Sequence, residues 1–531
     1  MVTPNISETV FDLIIIGAGI NGAGTARDAA MRGLSVLLLD KGDIGGGTSS
    51  WSTRLIHGGL RYLEHGEVGL VRESLREREI LFRIASHLVK PLPLLIPFYE
   101  ASRRGPRTIR AGLLAYDALA RGNSLPVHEV LTRAEALERA PGLNTDGLLG
   151  AALYYDAQVE FAERLVLENA LAAKKHGATV KTYARVKKFI IEKQSVQSLE
   201  IEDLISHDSC LVHGRMTINA AGPWVDQVAG TLGIERLIGG TKGSHIVVAP
   251  FPAASSTALY IEARADRRPF FVIPWNGQVL IGTTDTHYEG DLDAVEISDD
   301  EIEYLLAETN HAIPQAHLTR ESILFAYSGV RPLAYTRNNN EGKITRRHFI
   351  YDHAPQLKNF LSLVGGKLTT YRSLSQQAVD LVFRKLQLKV PRCTTDQEPL
   401  PGATPSALVA YSYQFAAPEY LPTKTVDHLL RVYGTRAPQV LILADSDPAL
   451  LEIVSAETGA IAAEIVFAFR HELAMTLSDC LLRRTMIGLS ASAGIGEDET
   501  AARIAEQHLG WSEDRARDEV AAYRTRYALR L

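Results

Sequence analysis

Two short apolar runs, separated by a glycine-rich turn and an alanine-rich stretch, open the chain. Phe11 to Ile16 is a β-branched run that predicts a buried strand, and Gly22 to Arg32 has helical spacing with Gly33 directly after it. Val36 to Leu39 predicts a second buried strand. The N-terminal segment is therefore predicted to be a strand–helix–strand unit.

Later segments predict a mixed middle region and a helical end. Apolar spacing predicts amphipathic helices at Glu67 to Ser86 and Glu160 to Lys175. A meander and a second, largely antiparallel sheet are predicted by short runs at Val186 to Glu192, Ser198 to Glu202, Cys210 to His213, Arg215 to Ala221, Ser244 to Ala249, Pro269 to Pro274 and Gln278 to Gly282. Helices are predicted at Ser298 to His311 and, after a Pro- and Thr-rich linker at Pro391 to Pro405, at Ala460 to Leu473, Glu497 to Leu509 and Ser512 to Tyr527.

Composition narrows the class of protein. The 531 residues are 46% hydrophobic and 22% charged, which is typical of a soluble globular chain of about two to four domains. The formal net charge of −6 argues against nucleic acid as the main partner. Cys210, Cys393 and Cys480 form no C-x-x-C pair, so neither a disulfide framework nor a thiolate zinc site is predicted, and a reducing compartment is favoured.

The charge of the N-terminal segment and the length of the apolar runs indicate where in the cell the protein is located. Glu8 and Asp12 precede the first basic residue, Arg27, which is unlike a secretory signal. No apolar run approaches the ~20 residues that span a bilayer. The sequence predicts a cytoplasmic protein, or one that lies on a membrane without crossing it.

The first chemical motif is Gly17-x-Gly19-x-x-Gly22, placed between the first strand and the first helix. Glycines at these positions let the backbone approach a pyrophosphate at the helix N-terminus, and Asp40, at the end of the next strand, is placed to bond an adenosine ribose. This arrangement predicts a dinucleotide site and fits both NAD and FAD.

Two further segments favour FAD. Thr48, Ser49 and Ser50, followed by Gly58 and Gly59, give a dense row of hydroxyls and glycines suited to the extended body of a flavin. The predicted strand Arg215 to Ala221 ends in a small residue, and Gly222 follows it. A ligand could approach the backbone closely at these two positions.

Five longer motifs are specific enough to indicate a family. They are Ile56-His57-Gly58-Gly59-Leu60-Arg61-Tyr62-Leu63-Glu64, Lys242-Gly243-Ser244-His245, Ile281-Gly282-Thr283-Thr284-Asp285, Tyr327-Ser328-Gly329-Val330-Arg331-Pro332 and Gly365-Gly366-Lys367-Leu368-Thr369-Thr370-Tyr371-Arg372. Together they resemble the FAD-dependent glycerol-3-phosphate dehydrogenases, and the resemblance covers nearly the whole chain.

The resemblance implies an α/β fold in which an FAD-binding Rossmann-type domain is interleaved with an antiparallel-sheet cap domain. We assign residues 1–80, 150–240 and 325–390 to the FAD-binding domain and residues 81–149 and 241–324 to the cap. Residues 391–404 would form a linker and 405–531 a helical C-terminal domain. The last motif adds Gly366, Lys367, Leu368 and Thr369 to the expected FAD contacts.

The resemblance also implies the reaction. Glycerol 3-phosphate would be oxidised to dihydroxyacetone phosphate by hydride transfer to FAD, and the electrons would pass to a membrane quinone at the cytoplasmic face of the membrane. A homodimer is left open. So are an oxygen-linked or amino-acid oxidase and a non-catalytic FAD-fold scaffold.

Oxidation of an alcohol beside a phosphate requires cations for the phosphate and a base for the hydroxyl proton. Arg61, Arg331 and Lys367 are the best candidate cations, since each lies in a glycine-containing motif. His245 and His57 compete as the base, and Arg331 joins them as a candidate catalytic residue. Thr283 and Thr284 are expected to bond substrate or flavin.

Other chemistries lack their motifs. Gly366-Lys367 is followed by Leu368, so this segment is not a phosphate-binding P-loop. The sequence contains neither an H-E-x-x-H motif nor a G-x-S-x-G elbow, and no metal site is predicted.

One segment suggests a membrane surface. Ser102 to Gly122 carries five arginines, Arg103, Arg104, Arg107, Arg110 and Arg121, against one acid, Asp117. A helix here would show its interleaved apolar positions to acyl chains and its arginines to anionic headgroups. The alternative is a helix that packs its apolar side on the cap domain.

Overall fold

The computed structural model describes residues 6–335, 345–404 and 421–525, and these residues form two β-sheets with helices packed against them. The first sheet contains β1 (Val10–Ile16), β2 (Val36–Leu39), β7 (Thr179–Lys181), β8 (Ala184–Glu192), β9 (Ser195–Asp203), β10 (Ser209–Asn219), β17 (Phe349–Asp352) and β18 (Phe360–Val364). Its main path has the order β17-β18-β10-β1-β2-β7, and β8 and β9 extend from β10 as an antiparallel meander.

The centre of the first sheet is parallel. Ile15 on β1 lies opposite Leu38 on β2 and Ile218 on β10, and all three side chains are buried. Continuous apolar strands suit this position because helices cover a parallel sheet. The helices α1 (Ile20–Met31), α5 (Ala162–Lys175) and α8 (Tyr371–Lys385) share its apolar core.

The second sheet has ten strands and is almost entirely antiparallel. Its strands are β3 (Leu55–Ile56), β4 (Val89–Tyr99), β5 (Glu129–Thr132), β6 (Leu148–Val159), β11 (Ile238–Val248), β12 (Ala258–Glu262), β13 (Pro269–Trp275), β14 (Gln278–Gly282), β15 (Thr286–His287) and β16 (Ile323–Ala334). It is accompanied by α2 (Val68–Ile84), α3 (Pro106–Leu119), α4 (Arg133–Arg139) and α7 (Asp299–Ala312). The short helix α6 (Val225–Gly230) instead contacts β10 and β18 of the first sheet.

The C-terminal part is helical in its described residues. It contains α9 (Thr423–Tyr433), α10 (Ala437–Leu441), α11 (Ala462–His471), α12 (Leu477–Arg483), α13 (Glu497–Leu509) and α14 (Glu513–Tyr523). Apolar side chains of these helices form one continuous buried cluster with residues of the second sheet such as Trp275. The predicted linker, residues 391–404, packs on the first sheet's helices, since Arg27 of α1 donates a hydrogen bond to the Glu398 carbonyl.

Most predicted elements are confirmed, and the strand–helix–strand opening and the predicted helix Glu497 to Leu509 agree closely. The two runs predicted around residue 214 form the single strand β10. The sheet pairing also differs from the predicted domain boundaries: β3, β6 and β16 belong to the second sheet, although residues 55–56, 150–159 and 325–334 were assigned to the FAD-binding domain. These strands end beside the first sheet, so chain position alone could not assign them. Residues 405–420 and 526–531 of the predicted helical domain lie outside the described residues.

Among the described residues, no helix is both long enough and apolar enough to cross a membrane.

Candidate active site

The glycine turn between β1 and α1 has no room for side chains at two of its positions. Gly17 has φ +104°, and a Cβ there would lie 2.6 Å from the carbonyl oxygen of Ala220. A Cβ on Gly22 would lie 1.8 Å from the Gly17 carbonyl oxygen. At Gly19 the nearest atom to a Cβ would be Ser49 Oγ, at 3.4 Å, so this glycine leaves open space above the helix N-terminus. Such a turn fits a pyrophosphate.

Asp40 ends β2 beside this turn. Its two carboxylate oxygens accept hydrogen bonds from the backbone N–H groups of Ala18, at 2.6 Å, and Gly42, at 2.8 Å. Burial raises the pKa of Asp40, while these two backbone donors oppose the rise. The carboxylate therefore stabilises the turn itself and lies where a ribose hydroxyl would reach it.

A cavity of about 1250 Å³ extends from this turn. Pockets for small ligands usually measure about 300–1,000 Å³, so this volume suits an extended ligand such as a dinucleotide. Most predicted cofactor residues line it, namely Gly17, Gly19, Asp40, Thr48, Ser49, Ala221, Gly222, Gly366, Lys367 and Leu368. The close-fitting glycines and the row of lining hydroxyls fit FAD.

Five predicted cofactor residues do not line the cavity: Gly22, Ser50, Gly58, Gly59 and Thr369. Gly22 is enclosed by the Gly17 carbonyl oxygen, and three of the others have partners within the protein. The buried Ser50 hydroxyl donates to the Gly45 carbonyl at 2.6 Å, and Thr369 Oγ1 accepts from the His57 N–H at 3.1 Å. The Gly58 N–H donates to the Tyr116 hydroxyl at 3.0 Å. Ser50, Gly58 and Thr369 are therefore hydrogen-bonded to neighbouring protein groups and do not line the cavity.

A cluster of arginines surrounds one carboxylate, and one of them, Arg331, directly precedes Pro332, which lines the cavity. Asp285 accepts hydrogen bonds from Arg331 at 3.1 Å, from Arg346 at 3.3 Å and from Arg268. We call Asp285 and these three arginines the arginine cluster. Its guanidinium groups exceed its carboxylate by two positive charges. Burial lowers the pKa of Arg331 to about 10, so it remains a cation at neutral pH.

Tyr62 interacts both with arginines of the cluster and with the other two predicted cations, Arg61 and Lys367. Burial raises the pKa of the Tyr62 phenol, and the positive charges of Arg346, Arg61 and Arg331 oppose the rise. Arg61 is half-buried and forms no ion pair with the described residues. Lys367 Nζ lies 4.8 Å from the centre of the Tyr62 ring. The structure therefore brings all three predicted cations around one tyrosine.

Lys367 is held at the junction of the cavity and Tyr62. Its Nζ donates to the His57 carbonyl at 3.1 Å and to Ser74 Oγ at 2.9 Å. Burial lowers the pKa of Lys367 to about 7, despite nearby carboxylates such as Asp156. The amine can therefore exchange its proton near neutral pH.

The two candidate bases differ in access. His245 is 1% exposed, stacks on Tyr327 with ring centres 4.9 Å apart, and lies 2.9 Å from Thr53 Oγ1 through Nε2. His57 is half-buried, between Tyr62 and Lys367. For both imidazoles burial lowers the pKa well below its ordinary value, and nearby cations, Arg331 for His245 and Lys367 for His57, add to this. Both rings are therefore neutral at neutral pH.

The two predicted threonines have different partners. Thr283 Oγ1 accepts a hydrogen bond from Arg331 at 2.9 Å, which orients that guanidinium group. The buried Thr284 hydroxyl donates to Glu301 at 2.6 Å and accepts from the Ser244 N–H at 2.9 Å. Thr284 is therefore bonded within the protein rather than directed at a ligand.

Four residues of this site were not predicted from the sequence: Tyr62, Arg268, Asp285 and Arg346. Tyr62 and Asp285 stand inside quoted motifs, and the charge of Asp285 among nearby glycines and threonines would have drawn attention to that residue. Arg268 precedes β13 and Arg346 precedes β17, far from any glycine motif. Only the fold brings these two arginines to Asp285.

The basic segment Ser102 to Gly122 contains α3, and most of its larger apolar residues face inward. Leu113 and Tyr116 are buried, and Ile109 and Leu119 pack against the same core. The membrane prediction is wrong for these four positions, because the second sheet and α2 already cover them. Leu114 remains 55% exposed, among the exposed Arg103, Arg107, Arg110 and Arg121. Arg104 is paired with Glu64 and Glu262.

Known proteins match both parts of the chain. The sequence profile of the FAD-dependent oxidoreductases matches residues 12–372, and that of the C-terminal domain of alpha-glycerophosphate oxidase matches residues 393–516. A glycerol-3-phosphate dehydrogenase of Synechocystis sp. is 46% identical over 98% of this chain and 97% of its own length. Glycerol-3-phosphate dehydrogenase 2 of Mycobacterium tuberculosis is 36% identical over 97% of this chain and 88% of its own length. The crystal structure of the glycerol-3-phosphate dehydrogenase from Bacillus halodurans complexed with FAD superposes with a TM-score of 0.80, at 28% identity, over 98% of this chain and 95% of that one.

Proposed function

The chain belongs to the FAD-dependent glycerol-3-phosphate dehydrogenases, and from this premise we propose how its own residues carry out the reaction. Bound FAD would supply the acceptor for the hydride of the alcohol carbon. The residues that would hold it are the glycine turn, Asp40, the Thr48–Ser49 hydroxyls and the segment Gly366 to Leu368, all of which line the cavity except Gly22. The protein must also bind the phosphate and remove the hydroxyl proton.

The arginine cluster is the proposed phosphate site, and it is the main observation that supports a phosphate-bearing substrate. A phosphate monoester has a charge of about −2 at neutral pH, and an arginine fork matches its oxygens. The cluster has an excess of two positive charges, held in place by Asp285 and Thr283. Arg61 and Lys367 approach the same site through Tyr62. An amino-acid carboxylate, with one negative charge, would leave this excess only partly balanced.

We propose His57 as the base and His245 as a positioning residue. His57 is half-buried beside Lys367 and Tyr62, whereas His245 is 1% exposed, stacked on Tyr327 and bonded to Thr53. The lowered pKa of His57 leaves its imidazole unprotonated at neutral pH, which is the state that a base requires, and the access of this ring distinguishes it from His245. His57→Asn should lower kcat by about 10² to 10⁴-fold. His245→Asn, the matched control, should have a smaller effect on kcat.

The substrate is tested by anaerobic reduction of the bound flavin. Glycerol 3-phosphate should bleach the visible flavin absorbance, while glycerol and a D-amino acid at the same concentration should not. Bleaching by the amino acid alone would favour an amino-acid oxidase. Absence of bleaching by every substrate, in a protein that contains FAD, would favour a non-catalytic scaffold.

For the electron acceptor we propose a membrane quinone, reached from the cytoplasmic face. Support comes from α3, whose outer surface combines Leu114 with Arg107 and Arg110, and from the exposed Arg103 and Arg121 that flank this helix. Basic residues at an anionic surface contribute about 1 kcal/mol each, an attraction that salt weakens. Since the proposed acceptor is a quinone, reoxidation by a short-chain quinone should be faster than by dissolved oxygen.

Liposome sedimentation tests the membrane surface. The wild type should sediment with anionic vesicles at low salt, and Arg107→Glu with Arg110→Glu should abolish this. Lys187→Glu with Lys188→Glu changes two exposed cations on β8 by the same charge and should leave sedimentation unchanged. A wild type that stays in the supernatant would instead favour a soluble acceptor.

A further inference from the structure

The C-terminal helices line one end of the cofactor cavity. Besides the residues of the first sheet, the cavity is lined by Thr476, Ser478, Asp479 and Arg483, on and just before α12, and by Arg515 on α14. The oxidoreductase profile ends at residue 372, so these residues lie outside the part of the chain that carries the glycine turn. Neither their chain position nor any motif connects them with a cofactor.

The end they line is the adenosine end. Asp40, the residue placed to bond the ribose, is followed along the cavity wall by Lys41, Gly42 and Asp43 and by the start of β8. Tyr183, directly before β8, has φ +53° and also lines the cavity. Its hydroxyl donates to Asp479 at 2.7 Å. The C-terminal helices thus lie opposite the ribose-binding position.

A buried ionic network fixes Arg483 at this place. Its Nε donates to Asp43 Oδ2 at 2.5 Å, and its Nη2 donates to Asp479 Oδ1 at 2.8 Å. Arg484 donates to both oxygens of Asp43 at 2.7 Å. Burial alone would raise the pKa of Asp43, but the charges of Arg484 and Arg483 outweigh it and hold the pKa below its ordinary value. The loop that follows Asp40 is therefore held by charged bonds to α12.

From this geometry we infer that the C-terminal domain forms the outer wall of the adenosine end of the FAD site, with Arg483 and Ser478 as cofactor-binding residues. The domain would then be a determinant of FAD affinity rather than an independent appendage. The inference rests on the cavity and on FAD as cofactor, and it does not depend on the residues proposed for the phosphate or the base.

The first experiment compares two buried arginines in the full-length protein. Arg483→Met leaves Asp43 with Arg484, and Arg164→Met leaves Glu472 with Arg436. Both arginines join the two parts of the chain, but Arg164 and Glu472 do not line the cavity. FAD content after purification and the Kd of FAD for the apoprotein are measured, together with the Tm. Arg483→Met should raise the Kd by about tenfold or more relative to Arg164→Met.

The second experiment does not remove a buried charge. Ser478→Trp adds bulk to the cavity wall from the half-buried first turn of α12, and Ser446→Trp adds the same bulk at an exposed position outside the cavity. The Ser478 variant should lose FAD, and the Ser446 variant should retain it. If Arg483→Met does not fold, this pair decides the question. An FAD affinity of folded Arg483→Met equal to that of Arg164→Met, or wild-type FAD binding by Ser478→Trp, would overturn the inference.

Discussion

The glycine turn and the arginine cluster are built in opposite ways. The turn consists of consecutive residues between β1 and α1, where the backbone itself forms the binding surface. The cluster brings Arg268, Arg331 and Arg346 from separate segments to Asp285, and its side chains form the surface. In the turn, the available space determines which side chains are tolerated. In the cluster, the number and position of the charges determine which substitutions are tolerated.

This difference predicts distinct effects of substitution. A side chain at Gly17 or Gly22 should disturb the fold, because it would meet backbone atoms, whereas a side chain at Gly19 should displace only the cofactor. A change in the cluster should weaken the substrate and leave FAD in place. A cluster variant that loses FAD, or a turn variant that only weakens substrate binding, would contradict this distinction between the two sites.

The largest effect is expected for Gly22→Ala. Its Cβ would lie 1.8 Å from a backbone oxygen, so the start of α1 must shift away from Gly17. We expect a loss of about 4 kcal/mol or more in the free energy of unfolding, measured by urea denaturation. Gly230→Ala is the control, because a Cβ there meets nothing within 4 Å. Equal stability of the two variants would show that the turn is less tightly packed than described.

Gly19→Val should give folded apoprotein. The nearest atom to a Cβ at Gly19 is 3.4 Å away, so the protein can accommodate a side chain, whereas a pyrophosphate over the helix N-terminus cannot. The far-UV circular dichroism should match that of the wild type while the flavin absorbance is lost. A stoichiometric yellow protein would exclude the glycine turn as the pyrophosphate site.

Arg331→Met should lower kcat/KM for glycerol 3-phosphate by about 10²-fold with normal FAD content. The substitution removes the cation that Thr283 orients and leaves Asp285 with two arginines. Arg331→Lys keeps the charge without the planar fork, so its kcat/KM should lie between those of the wild type and Arg331→Met. Unchanged kinetics in Arg331→Met would place the phosphate elsewhere.

The smallest effect is a pH dependence that arises at Lys367. Since the pKa of this amine is lowered to about 7, the charge is present below that pH and lost above it. The KM for glycerol 3-phosphate should therefore rise between about pH 6.5 and 8.5, by at most about tenfold per pH unit. Lys367→Arg, which stays charged, should remove this rise. The same slope in both proteins would assign the titration to another group.

The sequence by itself determined the local features of this protein. The apolar run before Gly17 and the acid at residue 40 predicted the dinucleotide turn. Both belong to one strand–helix–strand unit, in which Asp40 accepts a hydrogen bond from the Ala18 N–H of the turn. The long motifs indicated the family and its cofactor, which the comparisons confirm. Helix Glu497–Leu509 was predicted with its observed bounds from spacing alone.

Only the tertiary structure decided which distant side chains meet. Arg268 and Arg346 carry no local signal, and they contribute to the cluster because sheet pairing and the β17 segment bring them to Asp285. The inward side of α3 was decided by what packs against it, since an apolar stripe suits a protein core and a membrane equally. Arg483 reaches the cofactor cavity only because buried charges require partners, and its partner Asp43 lies on the loop that follows β2.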